Sequence, residues 1–157
     1  MATARDNPKV PRITYTLSTL VMPNHTNTLG VMHGGWMMSW MDMAAWVVAA
    51  RAVAPDQTVF FKAATDVVWT GPVKAGEVCN VTGTLTAVGR TSLTVDLVAT
   101  AEDPIAKATR AACTATFTMV AGADGRSEPV RLHRKPRARV TARRPVPSRG
   151  RPFTPEH

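Results

Sequence analysis

Residues 34–53, GGWMMSWMDMAAWVVAARAV, constrain this chain more than any other stretch. Between Gly34 and Ala50 the only formally charged residue is Asp42, set among Met, Trp, Val, Ala, Gly and Ser. The run reads as a helix over 34–53, which Pro55 helps to stop. It is apolar all round, with Trp36, Trp40 and Val47 on one side and Met37, Met41 and Val48 on another, so it needs cover on more than one face. As a lone bilayer span it would hold Asp42 near the membrane centre at a cost of roughly 2.5–3.5 kcal/mol. The amphipathic strands that follow make a buried helix the stronger reading, with no membrane span.

Residues 12–22, RITYTLSTLVM, have strand composition and end at Pro23. Four more strand signals fall at 58–70, 77–88, 91–101 and 107–121, with turn chemistry (GPVKAGE, GR, EDP, ADGR) between and after them. Leu93, Val95, Leu97 and Ala99 share one strand face; Cys113, Ala115, Phe117 and Met119 share another, opposite Thr114, Thr116 and Thr118. A strand, a long helix and four strands on short connections predict an α+β fold: a curved antiparallel five-stranded sheet wrapped round one central helix. One such sheet cannot cover a helix that is apolar all round, so a homodimer is expected.

The 157 residues suit one domain. The net charge of +8 looks like a nucleic-acid signal until it is located. Residues 1–130 hold ten Lys/Arg and ten Asp/Glu, whereas residues 131–157 hold nine Lys/Arg and only Glu156. The chain thus divides into an N-terminal extension (1–12), a folded domain (13–130) and a basic, Pro/Arg-rich segment (131–157) expected to be disordered. That segment lacks the regular aromatic interleaving of a base-stacking arm, and nucleic acid is not the expected partner. Cys79 and Cys113 have no metal-ligand spacing, and no apolar leader precedes them. They are expected as free thiols in the cytoplasm, and no metal site is expected.

Chemistry concentrates at the helix start, in Asn27-x-x-Gly30-x-x-His33-Gly34-Gly35, with Asp42 two turns on. N–H groups at Gly34 and Gly35 lack intrahelical partners and are candidates to hold a developing oxyanion. Gly35, Ser39, Asp42 and Trp46 fall on one helical stripe, and Asp42 lies about 10 Å along the axis from Gly35. That span is too long for both groups to act on one carbonyl unless side-chain reach shortens it or a second protomer supplies one of them, and the expected dimer offers the second route. A carboxylate in apolar surroundings gains basicity, and Asn27 can orient water. Each residue also has a structural reading: Asp42 as a satisfied buried acid, Asn27 as a turn residue, His33 as a general base or as a cap for the loop.

The stretch MPNHTNTLGVMHGGWMMSWMDMAAWVVAARA, with AVGRTSLTVDLVAT and ACTATFTMVAGADGRSEPV, resembles the hotdog-fold acyl-CoA thioesterases of the YciA/BACH branch over residues 13–130. The resemblance implies a hydrolase that cleaves acyl-CoA to a free acid and coenzyme A. Asp42 would be the catalytic carboxylate, Asn27 its partner in placing water, and the N–H groups near Gly34 and Gly35 the carbonyl-polarising donors. His33 and Ser39 would lie along the substrate, and Arg90 and Ser92 in VGRTS would contact phosphate or pantetheine. No cofactor is implied, since coenzyme A is part of substrate and product. The homodimer would assemble further, to a tetramer or hexamer. Val31 stands where related sequences often carry Asp or Asn, and Trp46 where small residues are common, which would shorten the acyl tunnel. Aromatic-acyl-CoA thioesterases of the phenylacetate type are the nearest enzymatic alternative; a hotdog protein that binds acyl-CoA without hydrolysing it is the non-enzymatic one.

Overall fold

A computed structural model describes residues 10–133. Most of the expected N-terminal extension, and the basic segment from residue 134 onward, lie outside the described residues. In chain order the elements are β1 (Thr14–Leu20), a single 3-10 turn (Pro23–His25), α1 (Gly34–Ala52), β2 (Thr58–Trp69), β3 (Val78–Val88), β4 (Ser92–Asp103), β5 (Ala108–Ala123) and β6 (Arg126–Ser127).

The strands form one antiparallel sheet in the order β1-β3-β4-β5-β2, with β6 hung on β5. The first five strands are those expected. The sixth is a correction to the five-stranded sheet: two residues carry no periodic signal, although the turn before them does. Asp124 and Gly125 both have positive φ, 48° and 76°, the conformation that folds a two-residue hairpin back on itself.

Alternation decides the faces. Leu93, Val95, Leu97 and Ala99 of β4, and Ala115, Phe117 and Met119 of β5, are all buried on the concave side. The opposite face is rich in threonine, with cross-strand bonds such as Thr16 Oγ1 to Thr82 Oγ1 at 2.8 Å and Thr116 Oγ1 to Asp96 Oδ1 at 3.1 Å. The helix touches all five long strands, which requires the sheet to curl round it. Its buried stripe is Met37, Trp40, Met41, Ala44, Ala45, Val48, Ala49 and Ala52, while Trp36, Met43 and Trp46 stay exposed on the far side. Among the described residues no helix is long and apolar enough to cross a membrane. Both cysteines are free and buried; burial, with Cys113 nearby, pushes the Cys79 thiol up to about 11.

After β6 the chain straps the C-terminal end of α1. Val130 N–H donates to Arg90 O (2.8 Å), Ala54 N–H to Arg131 O (2.7 Å) and His133 N–H to Ala52 O (2.7 Å). Gln57, buried beneath, donates from Nε2 to Pro129 O and accepts from Arg131 N–H, both at 2.9 Å. Backbone contacts therefore run three residues past the boundary expected at residue 130. Replacing Gln57 by Ala removes both bonds and strands two backbone groups, at a cost of about 1–3 kcal/mol. Thermal denaturation should show a Tm lowered by several degrees. Asp56→Asn, which breaks only an exposed ion pair with Arg131, should leave Tm nearly unchanged.

Candidate active site

The helix begins where the sequence places two glycines, and His33 is its N-cap. The His33 backbone is extended and its Nδ1 accepts the Gly35 N–H at 3.1 Å. That bond takes up one of the donors expected to be free for a carbonyl, because a helix start satisfies its orphan N–H groups with the nearest acceptor. It also fixes His33 Nδ1 as an acceptor, so the neutral ring carries its proton on Nε2. The Gly34 N–H has no hydrogen-bond partner among the described residues. A Cβ at Gly34 would lie 3.5 Å from the Trp69 ring, and the two residues line a cavity of about 490 Å³ with Val31, Met32, Thr70 and Pro72. Trp69, the last residue of β2, carries no sequence signal for this placement; the pairing of β2 with β5 brings it there.

The loop ahead of the helix is organised by Asn27. Its Oδ1 accepts from Leu29 N–H at 2.9 Å and Val31 N–H at 3.4 Å, and Gly30 closes the turn at a φ of 71°. These bonds occupy the Asn27 carbonyl oxygen and leave the amide NH2 out of the turn. Further along, Met32 N–H donates to Val73 O at 2.7 Å, and Val31 pairs with Lys74. The Val73 segment is held in turn by a bidentate ion pair: Arg110 Nη1 and Nη2 reach Glu77 Oε1 and Oε2 at 2.8 and 2.7 Å. Arg110 Nη2 also donates to Pro72 O at 2.8 Å, and Lys74 N–H donates to Glu77 Oε2 at 2.7 Å. Arg110, and secondarily the Lys74 N–H, hold the buried Glu77 carboxyl below the usual range despite its loss of solvation. His25, one turn before, accepts from Met22 N–H and packs against Trp36 and Trp40 with ring centroids 4.7 and 5.2 Å away.

Asp42 stands near the middle of α1. The stripe it shares with Gly35, Ser39 and Trp46 is the face the sheet leaves uncovered: those three are exposed and Asp42 is half-buried. Its Oδ1 is shut off from solvent with no hydrogen-bond partner, and burial raises the pKa of the carboxyl above its ordinary 3.8. The surrounding cavity, about 360 Å³, is lined by Tyr15, Leu17, Met43, Trp46 and Val47. Asp42 and Gly34 thus border different cavities within one protomer. Ser39 lines neither.

Arg90 and Ser92 lie at the other end of the molecule. They sit at the β3–β4 turn, where Ser92 pairs with Val120 and Arg90 O accepts from the C-terminal strap, beside the end of α1 rather than its start. Tyr15 and Leu17 of β1, which wall the Asp42 cavity, were not expected in the site; in the sequence they are ordinary inward positions of an alternating strand. Among the described residues no group of three or more His, Cys, Asp or Glu side chains could hold a metal ion.

Residues 29–108 match the family described as the Thioesterase superfamily. An uncharacterized acyl-CoA thioester hydrolase of Zymomonas mobilis is 38% identical over 98 residues, covering 60% of this chain and 64% of that protein. The match therefore spans just under two thirds of that relative's length. Among solved structures, a hexameric hotdog fold thioesterase of Campylobacter jejuni superposes with a TM-score of 0.67 at 29% identity, over 73% of this chain and 87% of that one. A hexameric broad-specificity acyl-coenzyme A thioesterase, solved with an aspartate replaced by alanine, gives a TM-score of 0.68 at 29% identity, over 78% and 87%. The curled sheet round a single helix is the hotdog fold.

An unsatisfied acid should cost the fold stability when ionised. Because the folded-state pKa of Asp42 is raised, the folded chain binds more protons than the unfolded chain between 3.8 and that higher value, and stability falls as pH rises through this window. Asp42→Asn removes the ionisation, so its Tm should exceed that of the wild type at pH 7. The advantage should shrink as pH is lowered through this window and level off below 3.8, where the wild-type carboxyl is protonated in both states. A variant less stable than wild type at pH 7 would mean that Asp42 has a partner that offsets its burial.

Proposed function

Because the chain belongs to the thioesterase superfamily, we propose that it hydrolyses acyl-CoA to a free acid and coenzyme A, with Asp42 as the carboxylate that drives attack. The observation that carries this reading is Asp42 itself: a half-buried carboxylate that lines an apolar-walled cavity, with its Oδ1 closed off from solvent and without a hydrogen-bond partner. Desolvation raises its affinity for a proton, which suits a base near neutral pH. Water held beside it would add to the thioester carbonyl carbon as Asp42 takes its proton. Collapse of the tetrahedral intermediate breaks the C–S bond, and the departing sulfur of coenzyme A recovers the proton. Coenzyme A thus enters with the substrate and leaves as product, and no further cofactor takes part.

Attack requires a donor for the developing oxyanion, and the Gly34 N–H at the positive end of α1 is the one left without a partner. It borders a different cavity from Asp42 of the same protomer, so the reading includes a homodimer in which each site takes Asp42 from one copy and the Gly34 and Asn27 region from the other. The exposed strand β2 supports this. It is an edge strand whose Phe60, Phe61, Val67, Val68 and Trp69 are exposed, an edge that a second β2 could pair with and cover. Trp36, Met43 and Trp46 on the uncovered face of α1 offer apolar area for the same contact. Further assembly to a hexamer, as in the Campylobacter jejuni thioesterase, would build on that dimer. Trp46 narrows the Asp42 cavity and supports short acyl groups. The two buried thiols fit a reducing compartment such as the cytoplasm.

Release of free thiol from a panel of acyl-CoA substrates, followed with a thiol-reactive chromophore, tests the reaction. Wild-type protein should hydrolyse at least the short-chain members, and Asp42→Asn should lower turnover by roughly 100-fold or more without loss of folding. Wild-type protein that binds acyl-CoA and releases no thiol would leave a binding protein in place of an enzyme.

A further inference from the structure

A cavity of about 750 Å³ at the C-terminal end of α1 takes no part in the site described for Asp42 and Gly34. Its cationic residues are Arg12 just before β1 and Arg51 in the last turn of the helix; the His133 imidazole at the end of the strap adds a polar group, and Ile13, Val53 and Pro55 supply apolar wall. None of its lining residues is acidic. Neither arginine is in an ion pair among the described residues, so two guanidinium groups face the cavity without a counter-charge. The negative end of the helix opposes an anion here, but the strap draws off part of it by donating His133 N–H to Ala52 O at 2.7 Å.

This cavity adjoins the one at Asp42. Both lie along the face between α1 and β1: Ile13, Thr14, Ala50 and Arg51 line the first, and Tyr15, Leu17, Trp46 and Val47 line the second. Tyr15 joins them, since the Arg51 guanidinium stacks 5.0 Å above the centroid of its ring. Along the helix, Arg51 is about 13 Å from Asp42 at ~1.5 Å per residue. The two cavities thus lie on either side of Tyr15, one with an apolar-walled carboxylate and the other with two arginines, about two and a half turns apart along the helix axis.

We infer that the Arg12–Arg51–His133 cavity binds the phosphates of the coenzyme A moiety, with the neutral pantetheine arm lying along the α1–β1 groove towards Asp42. The inference rests on the thioesterase reading and deepens it. Phosphate is the chemistry that planar guanidinium forks recognise, and the apolar walls suit the nucleotide base. A substrate whose reacting centre and anionic head are separated by a long uncharged arm matches the order of groups along the groove. The cavity lies at the same end of the molecule as Arg90, but Arg12 and Arg51 are the cations that line it.

The test compares acyl-CoA with the same acyl group on pantetheine, which keeps the thioester and arm and lacks the nucleotide and phosphates. In Arg12→Gln/Arg51→Gln, KM for acyl-CoA should rise tenfold or more, KM for acyl-pantetheine should stay within twofold of wild type, and kcat on both should hold. Arg12→Gln alone, which breaks no hydrogen bond in the described structure, should show the same pattern at smaller size. Equal KM changes on the two substrates, or none on either, would overturn the assignment. Calorimetric titration with coenzyme A, with inorganic phosphate as the competing probe, separates the site from the reaction. Wild-type protein that binds coenzyme A more tightly than both arginine variants, yet hydrolyses nothing, would refute the enzyme and support the cavity. Wild-type protein that hydrolyses acyl-CoA while the variants bind coenzyme A unchanged would refute the cavity alone.

Discussion

Everything in this fold depends on how closely α1 approaches the curled sheet. The contact face of the helix alternates large residues (Met37, Met41, Val48) with alanines (Ala44, Ala45, Ala49, Ala52), all essentially buried. The alanines let the backbone come near the strands, and the larger side chains interdigitate with Leu93, Leu97, Phe117 and Met119. Gly83 on β3 shows how tight the fit is: a Cβ there would lie 3.3 Å from both Val48 Cγ2 and Val95 Cγ1. With the helix seated at this depth, the position of its N-terminus against Trp69 and the height of Asp42 above the sheet are both set. The same seating leaves the opposite face uncovered, where Trp36, Met43 and Trp46 remain.

Two acids illustrate how burial and partnership divide. Glu77 is nearly closed off from solvent, yet its carboxyl is held low because Arg110 and the Lys74 N–H satisfy both oxygens. Asp42 is only half-buried, yet its carboxyl is pushed up because desolvation of an oxygen with no partner goes uncompensated. Desolvation raises both carboxyls, and the hydrogen bonds that Glu77 has and Asp42 lacks decide the sign. Glu77 consequently acts as a structural anchor for the Val73 segment on which Met32 hangs, and Asp42 is the acid left without a partner. An unsatisfied acid of this kind costs the fold stability, and under the proposed function that cost is the opposition expected where stability is given up for activity.

Much of the fold was legible in the sequence. Period-2 alternation marks β4 and β5 because one face of each is wet, and the helix start is marked by Gly34 and Gly35. The sixth strand was not legible, since two residues cannot show a period. At the site, the stripe of Gly35, Ser39, Asp42 and Trp46 follows from helical geometry alone, and the structure places it on one face. Tertiary pairing hid the rest. The His33 side chain turning back on the Gly35 N–H was one of two open readings of a loop histidine. The distance between Arg90 and Gly34 depends on how β3 lies against the helix, and Arg12 and Arg51, in no ion pair among the described residues, come together only when β1 lies beside the last turn of α1.

In the proposed dimer a working site takes its carboxylate from one copy and its Asn27 and Gly34 region from another. Mixed refolding tests it most directly: Asn27→Ala and Asp42→Ala proteins, each inactive alone, are unfolded and refolded together, and thioester hydrolysis is measured against each variant refolded by itself. In a shared-site dimer the mixed species carries both lesions in one site and none in the other. Equal amounts should then recover about a quarter of wild-type activity, given random pairing in a two-fold dimer. If mass spectrometry shows mixed dimers and activity does not return, both residues serve the same protomer's site and the shared-site account is contradicted.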